Sequence, residues 1–253
     1  MDDDKTIGIA VDGAFGLVTS TISFLSPSLG IAAVAIAPAV TEKIKDWLKR
    51  LVKEEKITSR ECSRMTDGIN GITETILSFK DKAARNDELL KCNDDGFCDA
   101  DDVFELMINH IKQDSEKKKA YYCGNFIGSI PYATDLRYSH LMQYARTISQ
   151  LSYSELCLIR IFYTSFKDRG INFSKAEQHL KKNEDIGASE LLADILHMRN
   201  LGLLHNVVPH NLGDNVGTVM ISFSGKRLYK LMRLNLLDDD DVNNSMRILL
   251  KII

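Results

Sequence analysis

The sequence predicts a mostly α-helical protein, a multi-helix body followed by a C-terminal winged-helix-like subdomain that carries a small β-hairpin. Three observations predict it. Apolar residues recur at helical spacing through most of the chain beyond Glu42. A Ser or Thr stands three residues before a Glu at the start of several of these repeats, as a capping box requires. Near the C-terminal end, two β-prone stretches flank a spacer with Pro, Asn and Gly where a loose hairpin needs them.

The first segment, 1–41, is apolar and rich in Gly and Ala. From Gly13 to Thr41 it contains no charged residue, and Pro27 and Pro38 interrupt it. Pro27 lacks an N–H and disfavours helix at the residue before it, so two short helices are expected, roughly 7–25 and 28–40. Each is shorter than the ~20 apolar residues of a spanning helix, so the segment reads as a switch or interface element and not a resident anchor.

The second segment, 42–150, is a helical domain. Ile44, Trp47, Leu48, Leu51 and Val52 form one face of an amphipathic helix whose other positions hold Lys and Glu. Thr58, Ser59 and Glu61 start another helix, through Met65, Ile69, Ile72, Ile76 and Phe79. A break is expected at Lys91 to Asp99, then two helices, Asp101 to Lys119 and Ala120 to Ile130, or one long bent one, closed by Pro131. Leu136 to Gln150 follows, with Leu141, Tyr144, Ala145 and Ile148 on one face.

The third segment, 151–253, is the winged-helix-like domain. Ser152 with Glu155 caps its first helix, which Asp168-Arg169-Gly170 ends. Ser174 with Glu177 begins a second, and Ser189 opens a third that runs to Asn200. The strands are expected at Leu203 to Val208 and Thr218 to Phe223, around PHNLGDNVG. Ser224 is expected to cap a last helix, and an acidic turn, Asp238 to Asp241, leads into an apolar tail.

Composition narrows the function classes. With 253 residues, 44% hydrophobic and 26% charged, the chain can bury a proper core. A net charge of −3 supplies no global field for nucleic acid. Cys62, Cys92, Cys98, Cys123 and Cys157 are scattered and odd in number, so reduced thiols are expected. Asp2, Asp3 and Asp4 give the wrong charge for a signal peptide, and a cytoplasmic protein, peripheral at the inner membrane when it meets lipid, is expected.

A winged helix raises DNA binding, with its third helix in the major groove. From Ala188 to Phe223, however, Arg199 is the sole Lys or Arg, against Glu190, Asp194 and Asp214. Phosphate neutralisation supplies non-specific affinity, so nucleic acid is not the expected partner of this surface. KCNDDGFCDADD, 91–102, fails as a calcium loop: Lys91 falls on the first ligand position and Asp102 on the last. An acidic turn capping the next helix near Asp99 or Asp101 is expected instead. Cys92 and Cys98, with His110 on the next helix, are too widely spaced for a usual zinc pair, and His197, His205 and His210 have no carboxylate or cysteine at ligand spacing. No metal or cofactor is therefore expected. No nucleophile elbow, phosphate loop or paired-histidine helix nominates a catalytic residue, and a non-enzymatic protein is expected.

EKIKDWLKRL at 42–51, AYYCGNFIGSI at 120–130, SHLMQYARTISQLSYSELCLIRIF at 139–162 and ISFSGKRLYKLM at 221–232 occur in an order that resembles the bacterial Abi-alpha proteins, associated with abortive infection. The resemblance implies an anti-phage or superinfection-exclusion role and transfers no catalytic residue. KIKDWLKRLVK, directly after the uncharged run, has the composition of an interfacial helix. Conditional membrane insertion is thus expected through Phe15, Leu17, Phe24, Leu25, Ile31, Val34 and Ile36, with Lys45, Trp47, Lys49 and Arg50 at the interface. Two alternatives stand beside it. One is a protein-interaction or self-association module whose small residues let helices approach closely. The other is a winged-helix transcriptional regulator.

Overall fold

The computed structural model describes residues 58–79, 81–91, 93, 98–173, 185–207 and 217–253. The expected N-terminal helices, all eleven membrane and interface candidates from Phe15 to Arg50, Cys92 and the expected helix at Ser174 lie outside the described residues. The contacts divide the chain into two compact units, one up to Ser149 and one from Gln150 onward. Helix dominates both.

In the first unit, α1 (Ser59–Ser78) begins where expected. Thr58 Oγ1 accepts from Glu61 N–H at 3.3 Å, and the Glu61 carboxylate accepts from Thr58 N–H at 2.8 Å. The described residues between α1 and α2 (Asp99–Gln113) are non-helical, including 81–90, ahead of the break expected at 91–99. Arg85 holds that interval: its N–H donates to Pro131 O at 2.7 Å and its guanidinium to Ala133 O at 3.1 Å and to Asp87.

The next boundary falls at 114–116, not between Lys119 and Ala120 as expected. Asp114 N–H closes α2 on His110 O at 2.8 Å, and its Oδ1 accepts Glu116 N–H at 2.8 Å, turning the chain into α3 (Lys117–Ser129). Pro131 sits in a 3-10 turn, Ile130–Tyr132, after which α4 (Tyr138–Gln150) buries Leu141, Ala145 and Ile148 but leaves Tyr144 half-buried. Tyr138 ties α4 to α2 through Asp102, at 2.9 Å.

The core of this unit is the α1–α3 pair, with α2 packed on both. Glycines let the two backbones meet. A Cβ on Gly124 would lie 1.9 Å from Gly68 O, and one on Gly71 would lie 2.1 Å from Tyr121 O. Gly128 meets Ile72 in the same way. Between the helices, fully buried Thr75 donates to fully buried Asn125 at 2.9 Å.

In the second unit, α5 (Tyr153–Ser165) opens with the Ser152–Glu155 capping box. Gly170, with φ of 65°, turns the chain into β1 (Ile171–Asn172), a strand the sequence reading lacked. Two residues are too few to show alternation. α6 (Ile186–Asn200) starts three residues before the expected Ser189, because Asp185 is the cap, its Oδ1 accepting Ala188 N–H at 3.1 Å.

β2 (Leu204–Asn206) and β3 (Thr218–Ile221) are antiparallel, with Leu204 opposite Ile221 and Asn206 opposite Val219. Ile171 pairs with Val219 on the other side, so the sheet order is β1-β3-β2. α7 (Phe223–Leu231) is capped by Ser222 and not by the expected Ser224: Ser222 Oγ accepts Gly225 N–H at 3.0 Å and donates to Gly202 O at 2.7 Å. A 3-10 turn, Leu234–Leu236, follows. The expected apolar tail is a helix, α8 (Asp239–Ile252), because Asp238 accepts N–H bonds from Asp240 and Asp241 and the acidic run favours a helix N-terminus. It packs on α5 and α6.

Candidate functional site

Glu155 joins the capping of α5 to α6. One carboxylate oxygen accepts Ser152 N–H at 2.7 Å, and the other lies 2.7 Å from His197 Nδ1. The Glu155 side chain is 2% exposed, whereas the imidazole is 43% exposed. A buried carboxylate of this kind orients a histidine ring and favours the proton on Nδ1.

The adjacent Ser154 donates its Oγ to Asp194 Oδ2 at 2.8 Å. Burial pushes the Asp194 carboxyl up, against the Ser154 hydrogen bond and the nearby His197. A carboxylate–histidine pair is half of a nucleophilic triad, but the Ser154 proton is committed to Asp194 and not to the imidazole. The arrangement locks two helices together. The sequence reading placed His197 among boundary histidines without ligand-spaced neighbours, and its partner lies 42 residues away.

In the first unit a second polar cluster fills the α2–α3 junction. Asp114 Oδ2 lies 2.8 Å from Lys119 Nζ and 2.9 Å from His110 Nε2, and the Lys119 side chain is 2% exposed. Burial, reinforced by the Lys119 charge, pushes the His110 imidazole down to about 4 despite Asp114. Burial alone would raise Asp114, but hydrogen bonds from Lys119 and Glu116 and the Lys119 charge hold its carboxyl below the usual range. The cluster is a neutral histidine beside a buried ion pair, built to fix a bend.

The thiols are packed away. Cys62, Cys98, Cys123 and Cys157 are all buried, and burial pushes the Cys123 thiol up to about 12. Such a thiol carries almost no thiolate at neutral pH. The acidic turn at 98–101 caps α2, with the Asp101 carboxylate accepting Cys98 N–H at 2.8 Å. Among the described residues no three His, Cys, Asp or Glu side chains are grouped for a metal ion.

A candidate partner surface among the described residues lies on α6. A groove of about 230 Å³ runs between this helix and the sheet, lined by Phe173, Leu192, Ile195, Leu196, Arg199 and Val219, with Asn206 and Gly217. Leu196 is 43% exposed, and among the described residues lining the groove Arg199 is the one cation. Its chemistry is apolar contact with a single charge anchor.

No protein-family model matches the chain, and neither a curated protein nor a solved structure matches it. None of the described helices is long and apolar enough to cross a membrane.

Proposed function

We propose that this is a non-enzymatic protein of the abortive-infection or superinfection-exclusion type, which brings its N-terminal apolar segment to a membrane when triggered. The observation that carries the reading is the uncharged run from Gly13 to Thr41 directly before the Trp47-bearing basic segment. Glu155 is interlocked with His197 and Asp114 with Lys119, which favours a packing role for each. Dye leakage and flotation with liposomes test the proposal. The full chain is expected to float and to release dye, and a chain lacking 1–41 to release none. Equal dye release by the two refutes it.

The C-terminal unit, in this reading, is a winged helix used for protein contact. Support comes from the order α5, β1, α6, β2, β3, α7 and from the strand order β1-β3-β2, which puts the short first strand beside the last. The helix that would enter a major groove is α6, and it offers Leu196 and a single Arg199 where phosphate contacts need several cations. A protein partner, or a second copy, fits that groove better than duplex. Leu196→Asp is expected to abolish self-association measured by light scattering, or binding of a defined partner, without changing the fold. Salt-sensitive duplex binding lost on Arg199→Ala would instead favour a transcriptional regulator.

A further inference from the structure

The outward face of α7 combines apolar and cationic side chains in one stripe. Gly225, Leu228 and Leu231 face the interior, which leaves Phe223, Lys226 and Lys230 along the opposite side at helical spacing. Phe223 is 80% exposed, more than any other large hydrophobic side chain among the described residues. From Gly217 to Leu237 the chain holds Lys226, Arg227, Lys230 and Arg233 and no acidic residue. Leu236, 40% exposed, continues the apolar character beyond Arg233.

α5 extends this face. Tyr229 stacks on Tyr163 with ring centroids 3.8 Å apart and planes 14° from parallel. Lys167 lies over the Tyr163 ring at 5.5 Å. Among the described residues, Lys167, Lys226 and Lys230 are in no ion pair. Asp168 adjoins Lys167 in sequence and Asp238 follows Leu237, while Asp239 is taken by Arg160 at 2.5 Å.

We propose that the α7 face, with Tyr163 of α5 and Lys167 just beyond its C-terminal end, is a docking surface for an anionic phospholipid membrane. This deepens the membrane reading above and rests on it. Exposed Phe beside Lys is the composition of an interfacial element: the ring enters the headgroup–acyl boundary and the ammonium groups meet anionic headgroups. Tyrosine, with an apolar body and a polar tip, suits the same depth. A phosphate backbone of nucleic acid would use the lysines and leave Phe223 in water, whereas a lipid interface uses both. The surface would hold the protein at the bilayer while the N-terminal segment acts.

The test is flotation of the full chain with vesicles of phosphatidylcholine alone and with added phosphatidylserine. Binding is expected to require phosphatidylserine. Each lysine near an anionic surface strengthens attachment about fivefold, so Lys226→Gln/Lys230→Gln should weaken it roughly 25-fold and the double Glu variant more. Phe223→Ser should weaken it about tenfold, and Lys91→Glu, in the other unit, should leave it unchanged. Circular dichroism establishes that each variant is folded. A full-length Phe24→Asp/Val34→Asp variant separates the two proposals: it should keep docking and lose dye release. If the Gln and Ser variants bind as the parent does while this variant loses docking, the membrane reading survives and the α7 surface is refuted. Failure of the parent to bind anionic vesicles, including the case where it binds a fluorescent oligonucleotide through the same lysines, also overturns the inference.

Discussion

Replacing Gly124 by Ala tests whether backbone contact fixes the first unit. The added Cβ would stand 1.9 Å from Gly68 O, so the helices must separate by about 1.5 Å to restore ordinary contact. Overpacking of this kind costs about 1–3 kcal/mol. The separation also stretches the buried Thr75–Asn125 hydrogen bond, now 2.9 Å, and leaving such groups unsatisfied costs a further 1–3 kcal/mol or so. Against this, Ala gains about 1 kcal/mol of helix propensity over Gly. The net expectation is a loss of roughly 1–5 kcal/mol, a large share of the ~5–15 kcal/mol that holds a typical domain together. Gly187→Ala is the matched control, since its Cβ would find nothing closer than Asp185 Oδ1 at 3.6 Å. That change should be neutral or stabilise by about 0.5 kcal/mol. Urea unfolding followed by circular dichroism, with hydrogen exchange read separately over α1 and α3, measures both. Unchanged stability or undiminished α1–α3 protection in Gly124→Ala would refute the reasoning.

Three further outcomes are expected. His110 has its folded value depressed from 6.5 to about 4, so the unfolded chain binds the proton first and stability falls as pH drops through that window, by on the order of 3 kcal/mol; His110→Gln should flatten this part of a pH–stability curve. Glu155→Ala and His197→Ala should show a coupling of about 1–3 kcal/mol in a double-mutant cycle on thermal unfolding, whereas an additive result would deny that the 2.7 Å contact ties α5 to α6. Gly170→Ala should lower stability by at least about 1–2 kcal/mol, because φ is 65° and a Cβ would lie 2.7 Å from Val219 O; a melting temperature equal to the parent's would remove the strain argument.

What was legible in the sequence was local. The Thr58–Glu61 and Ser152–Glu155 caps are read within four residues, and both helices begin where those signals stand. Where two caps compete nearby, a tertiary partner decides. Ser222 prevails over Ser224 because its hydroxyl also reaches Gly202 O, a contact 20 residues away that no local pattern displays. The acidic run at 238–241 resembled a turn and is the start of α8, since the same carboxylates that break a helix interior stabilise its first turn. β1 exists only through its pairing with Val219 and Thr218. At the candidate sites, the charge pattern of α6 was readable, while the Glu155–His197 tie and the Tyr163–Tyr229 stack join residues 42 and 66 positions apart and carry no sequence mark.

The glycine contact also bears on how relatives of this protein would look. A helix pair spaced by side chains can drift through many apolar combinations and keep its geometry by repacking. A pair spaced by main chain cannot, since its distance is written in the absence of atoms at 71, 124 and 128. Ancestry in this unit should therefore outlast ordinary similarity as one glycine on the first helix and two, four residues apart, on the other. Those glycines, and not the hydrophobic residues around them, are the signature by which a distant homologue would be aligned.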